Sequence, residues 1–385
     1  VFRIEIIFKM RIIFWHNCLS PHQLPYIIRL MDDKRVDEVV FVAPVAFDEE
    51  RKKMGWSADV KSVEKYKVQL IVNPSHVETI NLLEKQQANS WHVFCGIRAD
   101  AFVFKVLKMS LKYQLHRAMV TELPNTYDFV HNIQNAKPLC LHRIRFFLQD
   151  RKYAKKIEKV FAMGNEAVKY FKSVNKGWQV VPFCYCTEEK NIEYPNVNGF
   201  AKFVFAGSLS SWKNPAFPLK CINEIKKQLG KCSLITYIGD GTLRANLEKY
   251  VINHGLENQC SFLGMQPQPK VPFIMNNADV LILPSLYDGW GAVVNEALQV
   301  GCFVICSDAC GASNLLLANN NLGLVFKHNS EKDLYRCMSY CVDHIDEIRE
   351  DRTHRKKWAH TYINGSYVAK YFVDILDNKE VKFIY

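Results

Sequence analysis

The sequence predicts an α/β protein built from two doubly wound parallel-sheet domains. Short runs that are apolar throughout alternate with longer amphipathic segments along most of the 385 residues. Such runs are typical of strands buried on both faces of a parallel sheet, and their alternation with helical patterns indicates βαβ units. One polar segment near the middle of the chain lacks this periodicity. The length is sufficient for two domains with sizeable cores.

The apolar runs give the predicted strands in order. In the first half they are residues 11–15, 38–43, 68–72, 91–95, 118–122, 159–164 and 179–183. In the second half they are residues 202–207, 234–239, 260–264, 279–285, 302–307 and 323–326. Each run is followed by a segment long enough for a crossover helix, so two parallel sheets are expected.

The polar segment 186–199 is the predicted linker, because it carries Pro195 and Gly199 and no apolar pattern. It separates residues 1–185 from a second domain at residues 200–362. Residues 363–385 are expected to form a C-terminal helix that packs back toward the first domain. Ligands bind at the carboxyl ends of strands in such sheets, so a cleft between the two domains is the expected site.

Composition narrows the class of protein. The net charge is +11, and residues 1–200 carry 30 Lys or Arg against 21 Asp or Glu, whereas residues 201–385 carry 20 against 18. The thirteen cysteines show no metal-type clustering, which predicts reduced thiols in a cytosolic enzyme. Charged residues interrupt the apolar N-terminal stretch, and no later run is long enough to span a bilayer. We therefore expect a cytoplasmic protein.

Small residues and charged residues follow the predicted strands of the second half. Gly207 and Ser208 come directly after one strand, and Lys213 stands shortly before Pro215, where it is able to reach a phosphate at a helix N-terminus. The segment "GDG" ends the next strand at residues 239–241. The alternatives are a solvated loop lysine and an ordinary tight turn.

Two acids occur close together in "YDGWGAVVNEA" at residues 287–297. Asp288 lies in a Gly-aromatic-Gly turn and Glu296 follows eight residues later, which is not a repeat of one helix face. Asp288 in the turn and Glu296 on the following helix would meet one ligand from different elements.

Together, these segments resemble the nucleotide-binding half of family 4 glycosyltransferases. The matching elements are the loop from Gly207 to Lys213, "GDG" at 239–241, "ADVLILPS" at 278–285, "YDGWG" at 287–291, "NEA" at 295–297 and "SDACGA" at 307–312. They appear in the family's order over roughly residues 200–330. The resemblance implies the two-domain GT-B fold and a retaining transfer of a sugar from a nucleotide diphosphate, most simply a UDP-sugar, to a glycan or lipid-linked acceptor in surface polysaccharide biosynthesis.

The resemblance also implies roles for individual residues of the second half. Lys213 would bind the diphosphate, Asp288 the donor sugar and Glu296 the ribose hydroxyls. The remaining expected donor contacts are made by Gly207, Ser208, Gly239, Gly264, Met265, Gly289, Trp290 and Gly291. Backbone amides of residues 289–291 would hold the donor phosphate or sugar, and Gly264–Met265 would border the base.

Two positions depart from the family pattern. The family usually has Glu where this chain has Asp288, and it commonly has Arg where this chain has Ser208. Arg244 is a candidate substitute for that arginine, the alternative being an exposed helix residue. The sequence contains no Asp-x-Asp pair. We therefore expect no metal and no cofactor, with the charge of the leaving diphosphate stabilised by Lys213 and by the helix dipole.

The first half offers fewer candidates. Ser20 and Pro21 predict the N-cap and first residue of a helix, which would bring His22 and Gln23 to the cleft. Glu122 ends a predicted strand roughly where the family often has a histidine near the donor sugar. It is a candidate acceptor base or sugar ligand, and a structural role is the alternative for all three side chains.

The charge of the first domain is concentrated in residues 101–176, with 15 Lys or Arg against 5 Asp or Glu. Lys105, Lys108, Lys112 and His116 recur at helical spacing among apolar residues, and a second basic cluster extends to Lys159. This pattern predicts peripheral contact with an anionic membrane through residues 101–159, the alternative being a solvated helix face. No nucleic-acid-reading motif accompanies the charge.

Two other functions stay compatible with the sequence. One is a nucleotide-sugar epimerase of the same fold, and the other is a non-catalytic nucleotide-sugar-binding module. Release of nucleoside diphosphate that depends on an acceptor would distinguish a transferase from both.

Overall fold

The computed structural model describes residues 9–47, 63, 65–85, 90–98, 100–128, 137–195 and 199–385. The first residues of the predicted N-terminal domain and residues 196–198 of the predicted linker lie outside this part of the chain. The described residues form two parallel sheets of seven and six strands. The predicted class of two parallel-sheet α/β domains is confirmed.

The N-terminal sheet has the strand order β3-β2-β1-β4-β5-β6-β7, and every pairing is parallel. Its strands are β1 Met10–Trp15, β2 Val36–Ala43, β3 Gln69–Val72, β4 Ser90–Phe94, β5 His116–Thr121, β6 Lys159–Met163 and β7 Gln179–Phe183. Its helices include Leu24–Arg29, His76–Glu84, Ala101–Ser110, Leu139–Arg145, Arg151–Ala154 and Asn165–Val174, with a π-helical turn at Phe146–Asp150. All six residues of the central strand β1 are buried, as its apolar run predicts.

The C-terminal sheet repeats this topology with the order β10-β9-β8-β11-β12-β13. Its strands are β8 Ala201–Ala206, β9 Ser233–Ile238, β10 Cys260–Phe262, β11 Val280–Leu283, β12 Phe303–Ser307 and β13 Gly323–Phe326. Its helices are Ala216–Leu229, Arg244–Asn253, Val271–Asn276, Val293–Gln299, Ser313–Ala318, Glu331–Asp343, Ile345–Glu350 and Arg352–Tyr362. In both sheets the strand order reverses beside the first strand, and this switch point is where doubly wound sheets bind ligands.

A last helix, Gly365–Leu376, packs on the N-terminal domain. Phe372 stacks on Phe161 of β6 with ring centroids 4.3 Å apart. Arg35, which follows the N-terminal domain's first helix, binds Asp374 at 2.7 Å and Asp377 at 2.8 Å. Apolar packing and ion pairs therefore both fix the end of the chain to the first domain.

Two local predictions about the N-terminal domain are wrong. The regular helix begins at Leu24 rather than at Pro21, although Ser20 caps the turn before it: the Ser20 hydroxyl accepts the amide of His22 at 3.4 Å and its carbonyl accepts the amide of Leu24 at 2.9 Å. The basic helix ends at Ser110, so Lys112 lies in a turn and His116 begins β5. Pairing of β5 with β4 and β6 decides the conformation there, and the helical spacing does not continue.

Candidate active site

A cavity of about 490 Å³ lies between the two domains, at the switch point of the C-terminal sheet. This volume is within the range of small-molecule sites. The predicted residues that line it are His22, Glu122, Gly207, Ser208, Lys213, Gly239, Met265, Asp288, Gly291 and Glu296. Residues that are more than 250 positions apart in sequence thus share one surface, which we call the donor cavity.

Lys213 closes the 3₁₀ turn Ser211–Lys213 that follows β8. Its Nζ lies 2.5 Å from Oδ2 of Asp288, and both side chains are largely buried, with 21% and 15% of their surface exposed. Burial lowers the pKa of Lys213, but the charge and hydrogen bond of Asp288 more than offset it, so that the pKa is raised. The lysine therefore stays charged, and its charge is balanced by the neighbouring acid.

The loop that carries Asp288 depends on two glycines. A Cβ at Gly289 would collide with the carboxylate of Glu122, which reaches across the cleft from the end of β5. Gly291 has φ +88°, and a Cβ there would collide with Sγ of Cys310. Among the described residues, no backbone carbonyl accepts the amides of Gly289, Trp290 or Gly291. Glu122 of the N-terminal domain therefore packs against this loop. The backbone amides of residues 289–291 in the loop are available to donate hydrogen bonds to a ligand.

Trp290 supports this loop from behind. Its side chain is only 1% exposed and does not line the cavity. Its Nε1 donates to Oδ1 of Asn295 at 2.7 Å, and Nδ2 of Asn295 donates to the carbonyl of Tyr185 at 2.9 Å. The indole also stacks on Tyr385, whose hydroxyl bonds Phe183 of the N-terminal domain. The side chain of Trp290 is therefore a structural anchor.

Glu296 lies on the first turn of the helix Val293–Gln299, as predicted. Its Oε1 is 3.8 Å from Nδ1 of His22, which lies on the opposite domain. Burial raises the pKa of Glu296 from 4.5 to about 7, and Lys190 lowers it only in part. The carboxyl group thus titrates near neutral pH in this structure.

Part of the donor cavity is formed by the carboxyl ends of strands in the C-terminal sheet. Gly207 follows β8, Gly239 follows β9, and the amide of Gly239 donates to the carbonyl of Gly264 at 2.9 Å. Met265 is 42% exposed and lines the cavity, whereas Gly264 does not. Arg244, the candidate substitute for the missing arginine, is not among the residues that line the donor cavity, and its guanidinium binds Asp240 at 2.9 Å and Glu248 at 2.8 Å.

A second cavity, of about 620 Å³, lies on the N-terminal side and shares Ser20, Glu122 and Tyr185 with the donor cavity. We call it the acceptor-side cavity. Gln23 lines the acceptor-side cavity, whereas His22 lines the donor cavity, so these two neighbouring candidates lie at different cavities. Oε1 of Glu122 accepts the hydroxyl of Tyr185 at 2.7 Å. Glu122 thus stands where the two cavities meet.

Several residues of the donor cavity were not predicted from the sequence, namely Trp212, Tyr185, Gln266, Gln268 and Val271. Trp212 directly precedes Lys213, and its position next to that candidate residue is the feature of the sequence that could have predicted a place in the cavity. Tyr185 follows β7 between two buried cysteines and resembles the end of a core strand. Its contact with Glu122 depends on the order of the strands, which the sequence does not give.

Within the described residues, no group of three or more His, Cys, Asp and Glu side chains is arranged to hold a metal ion. In the same part of the chain, none of the helices has both the length and the apolar character needed to cross a membrane.

The fold and the cavities define a two-domain α/β protein with a cavity between the carboxyl edges of two parallel sheets. Residues 187–361 match the family described as Glycosyl transferases group 1. The C-terminal half is therefore similar to a glycosyltransferase group 1 domain, and the predicted resemblance to glycosyltransferases is confirmed at this level.

Two curated relatives are similar to parts of the chain. A segment of 101 residues is 33% identical to the amylovoran biosynthesis glycosyltransferase AmsK of Erwinia amylovora and covers 25% of each chain. A segment of 186 residues is 30% identical to the UDP-Gal:alpha-D-GlcNAc-diphosphoundecaprenol alpha-1,3-galactosyltransferase of Escherichia coli and covers 46% of each. The chain thus matches between a quarter and about half of the length of these proteins.

The whole architecture resembles a solved structure. Alr3699/HepE of Anabaena, crystallised in complex with UDP, superposes with a TM-score of 0.67 at 15% sequence identity. The superposition covers 96% of this chain and 100% of that one. This likeness confirms the predicted GT-B fold.

Proposed function

We propose that this protein is a retaining glycosyltransferase that moves a sugar from a UDP-sugar to a hydroxyl of a glycan or lipid-linked acceptor in bacterial surface polysaccharide biosynthesis. The observation that carries the proposal is the convergence of Lys213, Asp288 and Glu296 on one cavity between the domains. The three side chains come from a turn, a loop and a helix.

In the proposed complex the diphosphate of the donor lies at Lys213, which would exchange Asp288 for phosphate oxygens. The amides of residues 289–291 hold the phosphate or the sugar, and Asp288 then accepts hydrogen bonds from sugar hydroxyls. Glu296 accepts the ribose hydroxyls, and Met265 borders the base. A charged lysine at the leaving diphosphate stabilises the negative charge that develops there.

Retention follows from attack on the same face from which the diphosphate leaves. The bond between the anomeric carbon and the diphosphate oxygen breaks, and a bond from that carbon to the acceptor oxygen forms. The acceptor proton passes to the departing diphosphate, so no protein nucleophile is required. Glu122, at the junction of the two cavities, orients the acceptor hydroxyl or a sugar hydroxyl. The reaction is proposed to need no metal and no cofactor.

The comparisons support the choice of donor and acceptor. HepE was crystallised with UDP, and the Escherichia coli relative is named for transfer from UDP-Gal to a sugar carried on diphosphoundecaprenol. AmsK is named for biosynthesis of amylovoran, which supports the polysaccharide setting.

We further propose peripheral contact with an anionic membrane at its cytoplasmic face, through the first domain. Leu141, Ile144, Phe147 and Leu148 are each more than half exposed. The basic residues Arg143, Arg151, Lys155 and Lys156 are exposed along the same segment. A basic segment with an exposed apolar face is typical of contact with an anionic leaflet, to which each close basic residue contributes about 1 kcal/mol.

The decisive experiment has two stages. A thermal-shift panel of nucleotide sugars identifies the donor, because a ligand that binds only the native state raises its stability. Release of UDP from that donor is then followed with and without a polysaccharide precursor fraction. A transferase releases UDP only with acceptor. Epimerised donor without release would indicate the epimerase, and binding without any turnover would indicate a binding module.

A further inference from the structure

His22 of the N-terminal domain and Glu296 of the C-terminal domain face each other across the cleft. Nδ1 of His22 lies 3.8 Å from Oε1 of Glu296, and only 8% and 19% of the two side-chain surfaces are exposed. Both residues line the donor cavity. A ligand that reaches Glu296 therefore meets the imidazole of His22 as well.

The two side chains also line a third cavity, of about 280 Å³, beside the predicted linker. The linker contributes Thr187, Glu188 and Lys190 to this cavity. Because His22 and Glu296 line the donor cavity and this third cavity alike, they lie at the boundary between the two. The pair thus marks the end of the donor cavity that is nearest to the linker.

The backbone of His22 is fixed on both sides of the ring. Its amide donates to the hydroxyl of Ser20 at 3.4 Å, and its carbonyl accepts the amide of Cys186 at 3.1 Å. The ring itself lies beside that of Tyr185, with centroids 6.1 Å apart. Cys186 begins the predicted linker, so His22 is held where the chain leaves the N-terminal domain.

The separation of the two side chains suits a shared hydroxyl group. The distance of 3.8 Å is longer than a hydrogen bond between nitrogen and oxygen, which is about 2.7–3.2 Å. Two groups that each hydrogen-bond to one oxygen atom lie about 4 to 5 Å apart, which is close to the observed distance.

The chemistry of the two groups is complementary on such a hydroxyl. A ribose hydroxyl that donates its proton to the carboxylate of Glu296 keeps lone pairs that accept an N–H of His22. An imidazole carries at least one N–H in either protonation state. A nucleoside without that hydroxyl would leave two buried polar groups without their ligand partner, and sites of this kind reject the analogue that lacks the group.

We propose that His22 is a donor-binding residue, which contacts the same ribose hydroxyl as Glu296 and makes recognition of the nucleoside a property of both domains. The inference rests on the proposed function, in which Glu296 accepts the ribose hydroxyls. It deepens that function by adding a specificity-determining residue on the opposite domain. A nucleotide that lacks this hydroxyl loses its contact with the N-terminal domain at this end of the cavity.

The test compares UDP with 2′-deoxy-UDP and 3′-deoxy-UDP by calorimetry. H22A should weaken the binding of UDP by about three- to tenfold, as expected for one lost hydrogen bond. It should leave the binding of one of the two deoxy analogues unchanged, because that analogue lacks the contacted hydroxyl. H22N replaces the ring by an amide with an N–H near the position of Nδ1, and it should retain most of the affinity for UDP.

The matched control H76A removes an exposed histidine of the same domain that lies outside all three cavities, and it should bind each nucleotide as the wild type does. A purely structural role of His22 predicts an equal loss for all three nucleotides in H22A, and that result would overturn the proposal.

NMR of the histidine ring nitrogens in the wild type gives a second test, which does not depend on how the variants fold. UDP should shift the signals of His22 more than the analogue that lacks the contacted hydroxyl does, and equal shifts with all three nucleotides would contradict the contact. A wild type that binds no UDP contradicts the proposed transferase function itself. Normal UDP binding with equal losses in H22A rejects only the contact between His22 and the ribose.

Discussion

The Nζ atom of Lys213 lies 2.5 Å from Oδ2 of Asp288, although the two residues are 75 positions apart. The pair balances a buried positive charge within a cavity that we propose for an anionic donor. Donor binding would then exchange one anionic partner of the lysine for another, and the displaced carboxylate would turn to the sugar.

The first prediction distinguishes the role of Lys213 from the role of Asp288. Lys213→Ala should lower turnover by about 10²-fold or more and weaken UDP binding, since it removes an electrostatic stabiliser of the leaving group. Asp288→Ala should lower sugar transfer while UDP binding is unchanged or tighter, because Lys213 loses its competing partner. Titration with UDP and initial rates measure both. Parallel weakening of UDP binding in the two variants would contradict these roles.

A second prediction concerns the contact between the domains at Gly289. Gly289→Ala places a methyl group where the Glu122 carboxylate lies, so Glu122 must move away from the junction of the cavities. We expect a large fall in kcat with little change in UDP affinity. Ala292→Gly is a control that changes backbone freedom in the same loop without adding an atom. Wild-type kcat in Gly289→Ala would show that the position of Glu122 is not important for transfer.

The hydroxyl of Tyr185 gives a finer test of Glu122. Tyr185→Phe removes only the donor that bonds Oε1 of Glu122 at 2.7 Å. If Tyr185 positions that carboxylate, kcat should fall about tenfold, as expected for loss of one hydrogen bond to a charged group. The loss should largely vanish when it is measured in a Glu122→Ala background, which has no side-chain acceptor for the hydroxyl. Additive losses in the double variant would indicate independent roles.

The pH dependence of donor binding should follow Glu296. Burial raises its pKa from 4.5 to about 7. Ribose hydroxyls that donate to the carboxylate favour its ionised form, so binding lowers this pKa and releases a proton. Affinity for UDP-glucose should therefore rise with pH up to about 7, by at most about tenfold per pH unit, and level off above it. Glu296→Gln should flatten the curve, and an equal slope in this variant would assign the titration to another group.

The raised pKa of Glu296 should also make the free energy of unfolding depend on pH. A carboxyl whose pKa is higher in the folded than in the unfolded protein binds its proton more tightly when folded. Its contribution to the free energy of unfolding is thus present below pH 4.5 and is lost as pH rises toward about 7. Glu296→Gln should remove this part of the pH dependence in chemical denaturation.

Membrane contact is tested by flotation with vesicles. The protein should float with anionic vesicles at low salt and be released as salt shortens the Debye length. The variant I144S/L148S should bind less, since two exposed apolar side chains are lost from the basic segment. The control I252S/L317S removes equally exposed apolar side chains from the C-terminal domain. Recovery of the wild type in the unbound fraction under all conditions would exclude the contact.

Much of the fold could be predicted from the sequence, because strands buried on both faces need continuous apolar runs. Strand β11, for example, is four buried aliphatic residues followed by a polar loop. The exact start of the first helix could not be predicted, since residues 21–23 form a separate turn before Leu24 and a capping serine would precede either arrangement. Partners across the cleft, such as Glu122 and Gly289, depend on how two sheets face each other, and no local pattern records that arrangement.

The chain passes between the two domains twice, and the crossings are adjacent. The first lies between Cys186, whose amide binds His22 on the N-terminal side, and Ile192, whose carbonyl accepts Lys356 on the C-terminal side. The second follows the helix Arg352–Tyr362, and there Asn364 donates to Glu189 of the first crossing at 3.2 Å. Because the two connections are neighbours, we expect any relative movement of the domains to be a rotation about the line that joins them. A sliding motion of one domain over the other would stretch one connection. Each catalytic cycle should accordingly return Glu122 to the same place over Gly289.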